Sequence, residues 1–171
     1  MLNNRAEFIV YRQEAEKDYA AQEKKIIVCA GTGCVAGGSL HIFDRLKEIA
    51  EKRGLSIEIG LAEDPHSPGI ALKKSGCHGF CEMGPLVRLE PQGWLYTKVK
   101  PEDCEEIIEK TIMKGEFISR LAYRNSGILA KKQSEIPFYR KQTRRMLNHC
   151  GSIDSESIVD YIAVGGYSAA V

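Results

Sequence analysis

The sequence lacks the features that would point to a membrane or to secretion. No apolar run approaches the roughly 20 residues that a transmembrane helix needs. Residues 1–12 carry charges throughout and have no apolar core of the kind found in a secretory signal peptide. The net charge is only +1, so no excess of positive charge indicates a nucleic acid or an anionic membrane as the general partner. We therefore predict a cytoplasmic protein without direct membrane insertion.

The composition itself is typical of a soluble globular protein, with 43% hydrophobic and 27% charged residues. A length of 171 residues allows one domain of ordinary size with an appendage. Six cysteines are many for a cytosolic chain of this length. In a reducing compartment such cysteines indicate metal or redox chemistry rather than disulfides.

Four of the cysteines form two close couples, each in a loop that contains glycine. The first couple is Cys29-x4-Cys34 and the second is Cys77-x3-Cys81. Two such couples far apart in sequence predict two loops that converge on one metal centre. Thiolates are the soft, anionic donors of iron–sulfur clusters, and two couples give two ligands to each iron of a [2Fe–2S] cluster. We therefore predict that Cys29, Cys34, Cys77 and Cys81 are the ligands of such a cluster.

Two other interpretations of the four cysteines stay open. A structural zinc ion also accepts four cysteines, although zinc sites favour Cys-x2-Cys couples and neither loop has that spacing. A redox-active dithiol of the thioredoxin type requires the same Cys-x2-Cys spacing. The zinc interpretation would make the chain a structural docking module without redox activity.

We interpret the other two cysteines and His78 as structural or supporting residues. Cys104 and Cys150 lie in predicted helices without a neighbouring cysteine, which is typical of buried thiols. His78 lies between two predicted ligands, but four cysteines already saturate two irons. We interpret His78 as a loop residue that tunes the redox potential through a hydrogen bond.

The hydrophobic pattern predicts an α/β fold. Residues 70–75 fit either a strand or a short helical turn, and residues 64–69 predict a loop. The other predicted elements are a helix over 5–22, a strand at 26–28, a helix over 40–52 capped by Ser39, a strand over 55–61, a hairpin of 86–90 with 94–99, and a helix from Pro101 to Gly115. A four-stranded mixed sheet with crossing helices matches a thioredoxin-like arrangement, and it would bring both cysteine loops to one end of the sheet.

After Leu121 the sequence becomes basic, with a lone Glu135 among the cations of residues 124–145. The pattern predicts a helix from 136 to about 150 and a last helix that Asp154 caps. Nucleic-acid binding is disfavoured because the stretch lacks interleaved aromatic residues, apart from Phe138 and Tyr139. We interpret it as a basic linker that packs on a neighbouring subunit.

The sequence offers no catalytic site for this chain alone. We find no nucleophile with a paired base, no paired acid and base carboxylates, and no phosphate-binding loop. A cluster with four cysteine ligands has no open coordination position. Its function would be the transfer of single electrons.

The residues also resemble a known family. Cys29-x4-Cys34 together with residues 76–87 resembles the thioredoxin-like [2Fe–2S] ferredoxin domain, which is found in the small subunit of respiratory complex I and of NAD-linked hydrogenases and formate dehydrogenases. Residues 136–144, 148–154 and 156–167 look like the start of the NADH- and flavin-binding subunit of the same complexes. The combination resembles the flavoprotein (beta) subunit of multimeric, often electron-bifurcating, [FeFe]-hydrogenases and of complex I-like NADH dehydrogenases.

This resemblance implies a division of the chain and a set of partners. The expected parts are an N-terminal helix (1–23), the ferredoxin domain (24–121), and a basic linker with the helical start of a flavin- and NADH-binding domain (122–171). Such subunits continue into a site for FMN and NAD and into cysteines for a [4Fe–4S] cluster, so we expect this chain to be a fragment. FMN, NAD and further iron–sulfur clusters would then lie in the rest of the subunit or in partner subunits of a multi-subunit oxidoreductase. Only the ligand roles of the four cysteines carry over to this sequence.

Overall fold

A computed structural model describes residues 4–22, 24–59 and 69–169. The strands of its main sheet are β1 (Lys24–Cys29), β2 (Ile57–Ile59), β3 (Ile70–Ser75), β4 (Val87–Glu90) and β5 (Trp94–Tyr96). The helices that accompany the sheet are α1 (Arg5–Ala21), α2 (Thr32–Ala36), α3 (Ser39–Lys52) and α4, whose consecutive segments are Pro101–Asp103, Cys104–Glu106 and Ile107–Met113. The tail contains a hairpin of β6 (Tyr123–Asn125) and β7 (Ile128–Ala130), followed by α5 (Pro137–Arg140) and α6 (Ile158–Ala163).

The main sheet is mixed and runs in the order β2-β3-β1-β4-β5. The central strand β1 pairs in parallel with β3 and antiparallel with β4. Because β1 and β3 are parallel neighbours, Cys29 at the end of β1 lies opposite Ser75 at the end of β3. The loops that follow the two strands therefore leave the same edge of the sheet, as the sequence predicted.

The prediction of four strands was wrong because residues 70–75 form a fifth strand. This strand, β3, pairs with β1 on one side and with β2 on the other, so it lies inside the sheet. The sequence of β3 contains Lys73 and Lys74, which obscured its apolar character. Lys73 is nevertheless buried, and a carboxylate distant in sequence pairs with it.

Several element boundaries differ from the prediction. Helix α3 includes Ser39, and its N-cap is Gly38 in a left-handed conformation with φ of 91°. This backbone conformation strains residues that have a Cβ, which accounts for a glycine in place of a capping side chain. Within the described residues β2 ends at Ile59, and residues 60–68, with most of the predicted loop over 64–69, lie outside the described part of the chain.

The main apolar core lies between the sheet, α3 and α4. Tyr96 is fully buried in it, and its hydroxyl lies 2.8 Å from Thr111 Oγ1 and accepts the N–H of Ile118 at 3.0 Å. Other fully buried members are Ile26, Ile42, Leu46, Leu72, Leu89, Ile107 and Ile108. Cys104 lies in the same core with no exposed surface, which confirms that it is a buried thiol. Burial raises the pKa of the Cys104 thiol to about 12.

The helix predicted from 136 to 150 was wrong. Helix α5 ends at Arg140, and turns follow as far as Gly151. Arg140 and Lys141 lie four residues before Arg144 and Arg145, so a longer helix would set like charges against each other on one face. Cys150 consequently lies in a turn and is half-buried.

The last helix also begins later than predicted. Helix α6 starts at Ile158, and its N-cap is Ser157, whose Oγ accepts the N–H of Asp160 at 3.1 Å. Asp154, the predicted cap, instead forms an isolated β-bridge with Ser75 and accepts the N–H of Glu156.

The tail is tied to the sheet and to the first helix. Helix α6 packs on α1 through Phe8, Ala15 and Ile162. Lys73 Nζ lies 2.7 and 2.6 Å from the two carboxylate oxygens of Asp160, and these side chains are only 6% and 7% exposed. None of the helices in the described ranges is long and apolar enough to cross a membrane.

Candidate metal centre

The four predicted ligands lie in two loops at one edge of the sheet. In the first ligand loop, residues 29–34, Cys29 ends β1 and Cys34 lies in the short helix α2, and both side chains are buried. In the second ligand loop, residues 76–84, Cys77 and Cys81 are exposed. The site thus has a buried side and a side open to solvent.

Glycines let the two loops approach each other closely. A Cβ on Gly31 would lie 2.8 Å from Cys77 Cβ and 3.0 Å from Cys77 Sγ, and a Cβ on Gly33 would lie 3.0 Å from Cys81 Sγ. In the opposite direction, a Cβ on Gly84 would lie 2.7 Å from Cys34 Sγ. Each loop therefore uses glycine where it meets a cysteine of the other loop, and this contact brings all four thiols into one region.

Hydrogen bonds and mutual charge link the four thiols. The pKa of Cys29 is lowered to about 6, mainly by a hydrogen bond with Cys34. Backbone N–H groups of His78 and Gly31 make smaller contributions in the same direction. The pKa of Cys34 is raised, first by its hydrogen bond with Cys29 and then by burial. The pKa of Cys81 is raised, mainly by the charge of Cys77. The charge of Cys29, in the other loop, raises it further. Neighbouring thiolates at this edge thus oppose one another's ionisation, and a bound cationic centre would favour the ionised form of all four.

The donor set fits a [2Fe–2S] cluster. Two loops each supply a couple of thiols, and the glycine positions leave room for sulfur where the loops meet. Four cysteine thiolates are the ligands that such a cluster takes. Within the described ranges, no three His, Cys, Asp or Glu side chains are grouped as ligands of a single metal ion.

His78 contributes to this site mainly through its backbone. Its ring is fully buried, and Nε2 lies 3.0 Å from Ser75 Oγ. Burial, reinforced by the charges of Arg88 and Arg144, lowers the pKa of His78 to about 3, so the ring is neutral at physiological pH. The backbone N–H of His78 contributes to lowering the pKa of the Cys29 thiol. Gly79 N–H donates to Cys77 Sγ at 3.2 Å.

The tail covers the second ligand loop, which sequence reasoning missed. Tyr139 Oη donates to the carbonyl oxygen of His78 at 3.1 Å, and Arg144 Nη2 donates to the same oxygen at 2.7 Å. The Phe138 ring stacks on Phe80 with centroids 4.7 Å apart. Nothing in the local sequence pattern of residues 136–144 indicates these long-range contacts.

Two further tail residues lie against the same loop. A Cβ on Gly151 would lie 2.9 Å from the His78 ring, so a glycine is needed there for close packing. Cys150 Sγ lies 3.9 Å from the position that a Cβ on Gly76 would occupy. Tyr139 also joins Cys29 and Cys34 in one apolar cluster, so the tail helps to bury the first couple.

Comparison with known proteins identifies a family model and similar ferredoxins. The family model described as thioredoxin-like [2Fe–2S] ferredoxin matches residues 12–112. A 2Fe–2S ferredoxin of Clostridium pasteurianum is 33% identical over 88 residues, which make up 52% of this chain and 76% of that protein. A 2Fe–2S ferredoxin of Aquifex aeolicus is 49% identical over 47 residues, which make up 28% of this chain and 42% of that protein.

A solved structure is also similar. The crystal structure of the wild-type thioredoxin-like [2Fe–2S] ferredoxin from Aquifex aeolicus matches with a TM-score of 0.48 and 29% sequence identity. The match covers 61% of this chain and 99% of that chain.

Proposed function

Because this chain belongs to the thioredoxin-like [2Fe–2S] ferredoxin family, we propose that Cys29, Cys34, Cys77 and Cys81 hold its cluster, two to each iron. A [2Fe–2S] cofactor and ferredoxin-type electron transfer follow from membership of the family. The assignment of the four ligands is supported by one observation above all. The glycines of each ligand loop lie against the cysteines of the other loop, so the two couples face a common centre.

The residues around the proposed ligands divide the site into two sides. When bound, the cluster supplies one-electron transfer. Cys29 and Cys34 are buried among apolar residues that include Phe80 and Tyr139, which keeps water from this side. Cys77 and Cys81 face solvent, so an electron-transfer partner would approach at this couple.

We further propose that the chain acts within a cytoplasmic, multi-subunit NAD-linked oxidoreductase. The candidates are a hydrogenase, including the electron-bifurcating type, and a complex I-like NADH dehydrogenase. The support is the resemblance of residues 136–144 and 148–154 to the start of a flavin- and NADH-binding subunit. That same segment lies on the second ligand loop through Tyr139 and Arg144, so a flavin domain joined to it would lie close to the cluster. FMN, NAD and further clusters belong, in this proposal, to a continuation of the subunit or to partner subunits.

Metal and sulfide analysis of anaerobically purified protein tests the ligand assignment. We expect two irons and two acid-labile sulfides per chain in the wild type, and a loss of both when any one of the four cysteines is changed to alanine, which offers no ligand atom. The variant Cys104→Ala is the control and should keep the full content. Stoichiometric zinc without sulfide would instead support a structural docking module.

The larger context needs a separate test on the native protein. We expect the chain to purify from its own cells in a complex that contains flavin and that reduces the cluster when NADH is added. A native chain that purifies alone, without flavin, would contradict the proposed context and leave the electron-transfer function intact.

A further inference from the structure

A cleft of about 500 Å³ is lined in part by Tyr139 and Arg144, the two tail residues that donate to the His78 carbonyl oxygen of the second ligand loop. Its walls are the turn between β4 and β5, residues 132–134, and the tail from Tyr139 to Asn148. Three cationic residues line it, Arg88, Lys132 and Arg144, and the described lining contains no aspartate or glutamate. Primary amides of Gln133, Gln142 and Asn148 lie on the same walls. The size is that of a small-molecule site, and the lining favours an anion.

The two guanidinium groups are held in place before any ligand arrives. Arg144 Nε donates to Gln142 Oε1 at 3.1 Å, Nη2 donates to the His78 carbonyl oxygen, and the group lies over the Tyr139 ring, 5.2 Å from its centroid. Arg88 donates to Glu90 and, at 3.4 Å, to Gln133 Oε1. Because these side chains are already ordered, an anion would cost little further side-chain entropy to bind.

The cleft has a net positive charge even when the neighbouring carboxylates of Glu90 and Glu135 are included. Glu90 neutralises Arg88, but the described hydrogen bonds of Arg144 go only to neutral acceptors. Near Lys132, the carboxylate of Glu135 accepts the backbone N–H groups of Lys131 and Lys132, at 2.8 and 3.2 Å. Arg144 is thus the cation most able to accept a ligand's charge, and Lys132, which lies near the Glu135 carboxylate, adds to it.

We propose that this cleft binds a multiply charged phosphate anion, and that Arg144 links its binding to the cluster. A planar guanidinium group presents paired donors that match phosphate oxygens, and Lys132 and the amides add further donors. Arg144 also holds the peptide between Cys77 and Cys81 through the His78 carbonyl oxygen. The link to the cluster rests on the proposed function, whereas binding of the anion does not.

The proposed link through Arg144 predicts the direction in which a bound anion changes the reduction potential of the cluster. Reduction adds negative charge at the ligand loops, and the guanidinium group of Arg144 stabilises that charge. An anion bound to Arg144 offsets part of this stabilisation, so the reduction potential should fall when the cleft is filled. By thermodynamic reciprocity, reduction should weaken binding of the anion by the same factor.

Isothermal titration calorimetry at low salt tests the binding, with inorganic pyrophosphate and ADP as the probes. We expect saturable binding of one pyrophosphate per chain, weakened about tenfold or more in Arg144→Gln and in Lys132→Gln. The control is Arg145→Gln, which removes the same charge from an exposed neighbour outside the cleft and should bind as the wild type does. Tighter binding of ADP than of pyrophosphate would assign an organic phosphate, and equal binding would assign the diphosphate group itself; both outcomes support the site.

The proposal is overturned if neither probe binds saturably, or if Arg145→Gln weakens binding as much as Lys132→Gln does, since general charge would then account for it. Lys132→Gln keeps the test decisive if Arg144→Gln releases the tail. Calorimetry does not depend on redox activity. The binding result can therefore be interpreted even if the cluster assignment fails. A second titration follows the reduction potential by EPR in protein that has the cluster signal, and a potential that stays constant as pyrophosphate saturates would overturn the link through Arg144.

Discussion

Gly31 lies directly against Cys77, so closely that a Cβ on the glycine would come within 2.8 Å of the cysteine's Cβ. Two real Cβ atoms do not approach this closely. Because Cys77 Cβ is attached directly to the backbone, it could move away only if the backbone of the loop moved with it. The two ligand loops can therefore meet only because residue 31 has no side chain. The same relation holds between Gly84 and Cys34 in the opposite direction.

The substitution Gly31→Ala should therefore separate the two ligand loops. We expect a fall in bound iron and sulfide, because the added methyl group would push Cys77 away from the first couple. Metal analysis and the visible absorption of anaerobically purified protein measure this effect. The control is Gly76→Ala in the second ligand loop, where the new Cβ would meet only Cys150 Sγ at an ordinary 3.9 Å. Equal cluster content in the two variants would contradict the role given to Gly31.

The buried ion pair between Lys73 and Asp160 should dominate the attachment of the tail. Asp160→Ala leaves the ammonium group of Lys73 buried without its partner, which typically costs about 3–5 kcal/mol of unfolding free energy. Glu156→Ala is the control, because it breaks the largely exposed pair with Lys74 and should cost about 1 kcal/mol or less. Denaturant unfolding compares the two variants. Similar losses in both would show that the Lys73 pair is not buried in solution.

The hydrogen bond of Tyr139 should stabilise the second ligand loop. Tyr139→Phe removes the donor to the His78 carbonyl oxygen and leaves Arg144 to hold that oxygen, so we expect a loss of about 1 kcal/mol of unfolding free energy. Amide hydrogen exchange at residues 78–80 should become faster in the same variant. Tyr167→Phe, which removes the hydroxyl of an exposed tyrosine, should change neither quantity. Unchanged exchange in Tyr139→Phe would argue against docking of the tail on this loop.

The buried thiol of Cys104 should make stability depend on pH in the alkaline range. Its pKa is raised to about 12 in the folded chain, whereas an unfolded cysteine titrates near pH 8.5. The unfolded state therefore releases this proton first, and stability is fully present below about pH 8.5 and falls above it by about 1.4 kcal/mol per pH unit. We expect Cys104→Ala to reduce the slope of unfolding free energy against pH between about pH 8.5 and 10. An unchanged slope would contradict the raised pKa of Cys104 in the folded chain.

Much of the candidate site could be predicted because its signals are local. Cysteine couples beside glycines identify ligand loops without knowledge of the fold, and the parallel pairing of β1 with β3 then brings Cys29 and Cys77 to one edge. The fifth strand was harder to recognise because Lys73 looks like a surface residue. Its partner, Asp160, is distant in sequence, and no local pattern reveals that the pair is buried.

The tail shows where sequence reasoning reached its limit. Residues 136–150 have the composition of a helix, but their contacts with the second ligand loop and their like charges favour turns instead. The roles of Tyr139 and Arg144 depend on the carbonyl oxygen of His78, which no sequence pattern could single out. The division of the chain at residues 23 and 121 stays a prediction.

The most direct test of the central claim is an EPR spectrum at low temperature, recorded with the absorption spectrum on anaerobically purified protein before and after dithionite. Wild type should be coloured and EPR-silent when oxidised, and should give one S = 1/2 signal on reduction. Cys77→Ser should alter that signal, whereas Cys104→Ser should leave it unchanged. A colourless wild-type protein that retains stoichiometric zinc under strict anaerobiosis, or a signal unaffected by Cys77→Ser, would contradict a [2Fe–2S] relay held by the two cysteine couples.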